Sequence, residues 1–193
     1  AVTVFDYDGR THASIGESAT VKAGGNVLVA ASDVTDVDLV AGSVGLGFSA
    51  VGFAGSVGIG VLDKDTQAVI GKNAAVDALG NGGTSLTVFS GDGSDLFATE
   101  LATGVSVLAH SKESLLSVGA AGAGGYVGLA GGVLVNVINS NTSAVIDDGA
   151  TINADAAFQM TANAQQSVNV AAVNQVDATT FVLGIAGGLV GIA

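Results

Sequence analysis

The chain has 193 residues, a formal net charge of −12, and no cysteine, proline or tryptophan. Disulfides, thiolate metal sites and a cysteine nucleophile are excluded. With 5 basic residues against 17 acidic ones, there is no basic patch to neutralise nucleic-acid phosphates or anionic headgroups. Hydrophobic residues make up 49% but aromatics only 5%, so the apolar mass is Val, Ala, Leu and Ile beside 30 Gly. Small and β-branched side chains suit narrow, stacked sheets better than a wide globular core.

The sequence starts at Ala1 without a signal peptide and stops inside an apolar run, 184–193. This predicts a segment of something longer. The first elements are Val4-Phe5-Asp6-Tyr7-Asp8, Thr11-His12-Ala13-Ser14-Ile15-Gly16 and Ala19-Thr20-Val21-Lys22-Ala23, followed by an alternating strand, Asn26-Val27-Leu28-Val29-Ala30-Ala31. A Gly-rich apolar stretch, 42–60, comes next. The same order then recurs. Val61-Leu62-Asp63-Lys64-Asp65 leads into Ala68-Val69-Ile70-Gly71 and Ala75-Val76-Asp77-Ala78, then the strand Ser85-Leu86-Thr87-Val88-Phe89-Ser90 and a second Gly-rich stretch, 117–135. A third copy runs Val137-Ile138-Asn139-Ser140-Asn141, Ala144-Val145-Ile146-Asp147 and Ala150-Thr151-Ile152-Asn153-Ala154. The strand Ala157-Phe158-Gln159-Met160-Thr161-Ala162 and the apolar end 183–193 complete it.

Ile70 follows Ile15 by 55 residues and Ile146 follows Ile70 by 76, the excess lying between Ala78 and Ser117. The expectation is a repeat of several turns, with one or more turns inserted in the middle copy. Alternating runs bounded by Gly, Asn, Asp and Ser predict strands of about 5–6 residues. Turns are predicted at Ala23-Gly24-Gly25-Asn26, Gly80-Asn81-Gly82-Gly83, Gly91-Asp92-Gly93 and Asp147-Asp148-Gly149. The best helical rival, 99–116, still has a strand-like centre at Val105-Ser106-Val107-Leu108-Ala109.

Residues 39–62 and 114–146 carry no charge. Their Gly-alternating pattern predicts close packing on the Gly face, with Val, Leu, Ile and Phe on the other. That apolar face is expected to be covered by a second layer or another subunit.

Units of this form, with Val135-Asn136-Val137-Ile138 followed by Asn141-Thr142-Ser143-Ala144-Val145-Ile146 as the closest local match, resemble the repeats of filamentous-haemagglutinin-type and leukotoxin-like filamentous adhesins. The resemblance covers nearly the whole chain. It implies a right-handed parallel β-helix, export through an outer-membrane pore, and adhesion or filament building, with no catalytic residues to transfer. The first copy departs from the pattern, Gly9-Arg10-Thr11-His12 being read as a lengthened turn.

Other constellations are weighed against plainer readings. Ser90-Gly91-Asp92-Gly93-Ser94-Asp95-Leu96-Phe97 partly matches a calcium-binding nonapeptide, which works in tandem copies. One copy is present, so it is read as a turn, with Ca²⁺ at Asp92 and Asp95 as the alternative. Asp6-Tyr7-Asp8-Gly9 has part of an EF-hand spacing and is also read as a turn. His110 with Ser111 and some Asp could be written as a triad, but no nucleophile elbow accompanies them. Asp36 and Asp38 share one strand face, as in carbohydrate-active β-helices.

The expected fold is thus all-β: one continuous parallel β-helix (β-solenoid) over 1–193, with approximate superrepeats 1–60, 61–136 and 137–193. The expected role is structural or adhesive, in a secreted bacterial surface protein or extracellular filament, without catalysis or cofactor. Partners are copies or neighbouring repeats of the same chain, or a host or neighbouring-cell surface, and not nucleic acid or membrane. The rival readings are a carbohydrate-active enzyme using Asp36 and Asp38, and a membrane-inserted β assembly using the Gly-rich runs.

Overall fold

The computed structural model describes residues 1–47, 51–81, 85–89, 98–153 and 167–192. Strands are the only regular structure among them: β1 (Val2–Ile15), β2 (Thr20–Ala23), β3 (Val27–Leu46), β4 (Val51–Ile70), β5 (Ala75–Ala78), β6 (Leu86–Phe89), β7 (Thr99–Ala102), β8 (Gly104–Gly124), β9 (Val127–Ile146), β10 (Thr151–Ile152), β11 (Ser167–Gly187) and β12 (Val190–Ile192).

Three sheets are wholly parallel and none closes into a barrel. The first has the order β1-β4-β9-β12, the second, narrow one β10-β5-β2, and the third β11-β8-β3. The chain visits first, second and third sheet in turn, three times over, and β12 re-enters the first. The first and third sheets lie face to face, with β3 against β4, and β8 and β11 against β9. Parallel strands with apolar inward positions require this kind of cover.

The register confirms the spacing of the three isoleucines. Ile15 pairs with Ile70 and Ile70 with Ile146. Val61 and Val137, the first residues of the second and third repeats, are likewise partners. The turns that follow are also equivalent. Ala19 N–H donates to Gly16 O, Ala74 to Gly71 and Ala150 to Asp147. The third turn position is left-handed each time, at Ser18, Asn73 and Gly149, and Asn and Gly tolerate it best. Around these turns Ala68, Ile70, Ala74, Val76 and Ala78 meet Val29, Ala31, Val105, Val107 and Ala109 in the core. This is where the narrow sheet closes one end of the sandwich.

Several expectations need correction. The long strands have 14 to 21 residues, not 5–6. The polar residues Asp63-Lys64-Asp65 and Asn139-Ser140-Asn141 lie inside β4 and β9. Their alternate members point outward, while Lys64 and Ser140, partners on adjacent strands, point inward to Glu113. Gly9-Arg10-Thr11-His12 is no longer turn: it pairs in unbroken register with Lys64-Asp65-Thr66-Gln67, and Asp6-Tyr7-Asp8-Gly9 is strand as well. The extra length of the middle copy holds an antiparallel pair, β6 with β7, instead of an inserted parallel turn. Ser85-Leu86-Thr87-Val88-Phe89-Ser90 is therefore not the counterpart of β3. That counterpart is β8, in which Ala109 pairs with Ala31. The strand predicted from Ala157 lies outside the described residues.

The other end of the sandwich is built from glycine. A Cβ on Gly52 would fall on the carbonyl oxygen of Gly124, and one on Gly45 on that of Phe53. The glycine face thus turns inward, as the alternation predicts. Among the described residues the apolar outer face is left open: Val44 is 78% exposed, Phe53 70% and Leu46 66%.

Candidate functional site

Strand alternation separates the residues singled out as chemical candidates. Asp36 and Asp38 both point outward from β3 and are exposed, sharing one face as their spacing predicts. His110 and Ser111 are adjacent on β8 and so point to opposite faces. His110 Nδ1 shares a 3.3 Å hydrogen bond with Ser32 Oγ and stacks edge-on against Phe89, whereas Ser111 Oγ is directed inward to Glu113. They form no triad. Burial lowers the His110 pKa from its ordinary value; Glu113 opposes this, and Lys112 and Lys64 add to it. Asp92 and Asp95 lie outside the described residues. Among the described residues, no three His, Asp or Glu side chains cluster as metal ligands.

The structure instead assembles a charged cluster between the sheets. On β4, the inward parity carries Leu62, Lys64, Thr66, Ala68 and Ile70, all buried. On β8 it carries Ser111, Glu113 and Leu115, and on β3 it carries Asp33 and Thr35. Lys64 and Glu113 are both 0% exposed at the side chain and Asp33 is 13%. Lys64 Nζ lies 2.8 Å from Asp33 Oδ1 and 3.2 Å from Glu113 Oε1. Both contacts are ion pairs, and among the described residues Glu113 Oε2 has no hydrogen-bond partner.

Hydroxyls complete the cluster. Thr11 Oγ1 donates to Asp33 Oδ2 at 2.9 Å and Thr35 Oγ1 to Oδ1 at 3.2 Å. Ser140 Oγ donates to Glu113 Oε1 at 2.9 Å, and Ser111 Oγ donates to the same oxygen. Burial alone would raise the Asp33 carboxyl. The Lys64 ammonium and the Thr11 and Thr35 hydroxyls outweigh it, and Asp33 titrates below its ordinary value. Two carboxylates thus face one ammonium between the sheets.

A second polar bridge lies nearer the glycine end. Ser117 Oγ donates to Asn136 Oδ1 at 3.1 Å, and Asn136 Nδ2 donates to Thr180 Oγ1 at 3.0 Å, joining β8, β9 and β11. On the outer face of the first sheet, Asp65 accepts from Gln67 and from Asn141 and contacts His12 at 3.1 Å.

The sequence reading passed over Lys64, Glu113 and Asp33. The signal was parity: Lys64 is two residues from Leu62, and Glu113 two from Leu115. A continued period-2 pattern puts all four inside. No family model, curated protein or solved structure matches the chain.

Proposed function

We propose that the chain is a structural or adhesive segment of a secreted bacterial surface protein or filament, folded as a β-solenoid. The observation that carries this reading is the threefold return of the chain through the same sheets in constant register, Ile15 on Ile70 on Ile146. A fold that adds one turn at a time grows in length without limit and suits spanning and projection. Its resemblance to filamentous-adhesin repeats agrees with that role.

The partner of such a fold is another of its own turns. β1 and β12 edge one long sheet and β11 and β3 the other, and an edge strand can pair with a strand of another chain. End-to-end association through these edges gives fibres. Electron microscopy of the concentrated protein tests this: rods and chains of one width are expected, and discrete compact particles would refute the reading. Detergent-free solubility tests the same reading against the membrane-inserted rival.

A further inference from the structure

We propose that Lys64 and Asp33 condense into an intramolecular amide, with Glu113 as the proton relay, so that the two long sheets are covalently joined. The cluster holds the parts such a step needs. Lys64 Nζ is a nucleophile once deprotonated, and it is fully buried 2.8 Å from a carboxylate oxygen of Asp33. Glu113 Oε1, 3.2 Å from the same nitrogen, is placed to take its proton. Low polarity favours that transfer, because it turns a buried ammonium and carboxylate into two neutral groups.

Glu113 passes that proton on to Oδ1 of Asp33, which makes the carboxyl neutral and electrophilic, and the amine then attacks its Cγ, forming the N–C bond. Negative charge gathers on Oδ2, where the Thr11 hydroxyl already donates a hydrogen bond, the arrangement that stabilises a tetrahedral intermediate. Oδ1, beside Lys64 and hydrogen-bonded by Thr35, leaves as water. Two of the three ammonium protons depart with it, one relayed through Glu113 and one from the attacking nitrogen, and Glu113 returns to its starting state. Atoms and charge balance without any oxidant or co-reactant. Fixed placement of the two groups supplies the effective concentration that an uncatalysed amide condensation in water lacks.

The product would tie β3 in the third sheet to β4 in the first, closing a covalent loop of the chain from Asp33 to Lys64. A chain with no cysteine would thereby gain a covalent brace that no reductant opens.

The intact mass of the purified folded chain tests this. The expected value is one water below the sequence mass, with a branched peptide joining Asp33 to Lys64 after proteolysis. Lys64→Arg and Glu113→Gln should each restore the full mass while retaining the β circular-dichroism signal. Asp33→Asn should condense with loss of ammonia in place of water. Full mass in the folded wild-type protein would overturn the proposal, leaving Lys64 an ion-pair partner only. So would a water loss that persists in Lys64→Arg, which would place the dehydration at another residue, such as an Asp-Gly succinimide.

Discussion

The two ends of the sandwich are closed by opposite means. At the narrow sheet, closure comes from side chains: Ile70, Val76 and Val105 are wholly buried, and each turn repeats the one beside it. At the far end, closure comes from the absence of side chains, since Gly45 and Gly52 let one backbone touch another. The first end is a packed core that resists any loss of volume, and the second resists any gain. Between them the interior is neither, because Lys64, Asp33 and Glu113 occupy it with charge.

Substitutions can set these regions against each other. Lys64→Met should be the most damaging, at about 3–5 kcal/mol, because it strands two buried carboxylates without their cation. A denaturant midpoint with unchanged slope would show it. Replacing Asp33 and Glu113 with apolar residues in the same chain should recover most of the loss, since isosteric apolar groups often substitute for a buried ion cluster at little cost. Ile70→Ala should follow at about 2–5 kcal/mol, from lost burial and the cavity left between Ile15 and Ile146. Gly52→Ala should cost about 1–3 kcal/mol by overpacking, although it adds one methyl group that most strands would accept. If Gly52→Ala were neutral, the two sheets would not meet there.

Acid probes the middle region by a different route. Before it condenses with Lys64, Asp33 is held below its ordinary pKa, so in the uncondensed chain the stability it contributes is complete above about pH 4, its unfolded value. That contribution is lost as the pH falls through the lower folded value. His110 also titrates lower when folded. Its neutral form is favoured, so stability is complete above about pH 6.5 and declines as the pH falls through that value. Thermal melting of the uncondensed chain between pH 8 and pH 2 should show two descending steps, and of the condensed chain only the upper one. His110→Gln should remove the upper one and Asp33→Asn should reduce the lower one. A melting temperature that rises on acidification through pH 6.5 would contradict the burial of His110 against Phe89.

The strand character, the Ile15/Ile70/Ile146 phase, the turn at Asp147-Asp148-Gly149 and the inward glycine face were all legible, because each rests on local chemistry. Strand length was not. A run such as Ser111-Lys112-Glu113-Ser114 looks like a surface loop until its alternate members are known to meet partners across an interior. Lys64 on β4 finds Asp33 on β3 and Glu113 on β8 only once the two sheets face each other, and nothing local to any of them encodes that meeting. The β6–β7 pairing was hidden for a related reason. Ser85 to Ser90 alternates as well as any strand of the parallel sheets, and alternation does not state which partner a strand takes.

The smallest expected effect on stability concerns the outer face of the glycine end. Val44→Ser and Phe53→Ser remove large apolar side chains that the chain leaves exposed, so each should change stability by no more than about 0.5 kcal/mol. Their effect should appear in association instead, because apolar surface left open on both sheets promotes contact between molecules. Light scattering against concentration should show weaker association for the double variant at unchanged melting temperature. A Phe53→Ser variant that loses stability while still a monomer would show that the side chain packs within its own chain. The glycine end would then be held by side chains as well, and its contrast with the narrow-sheet end would fall.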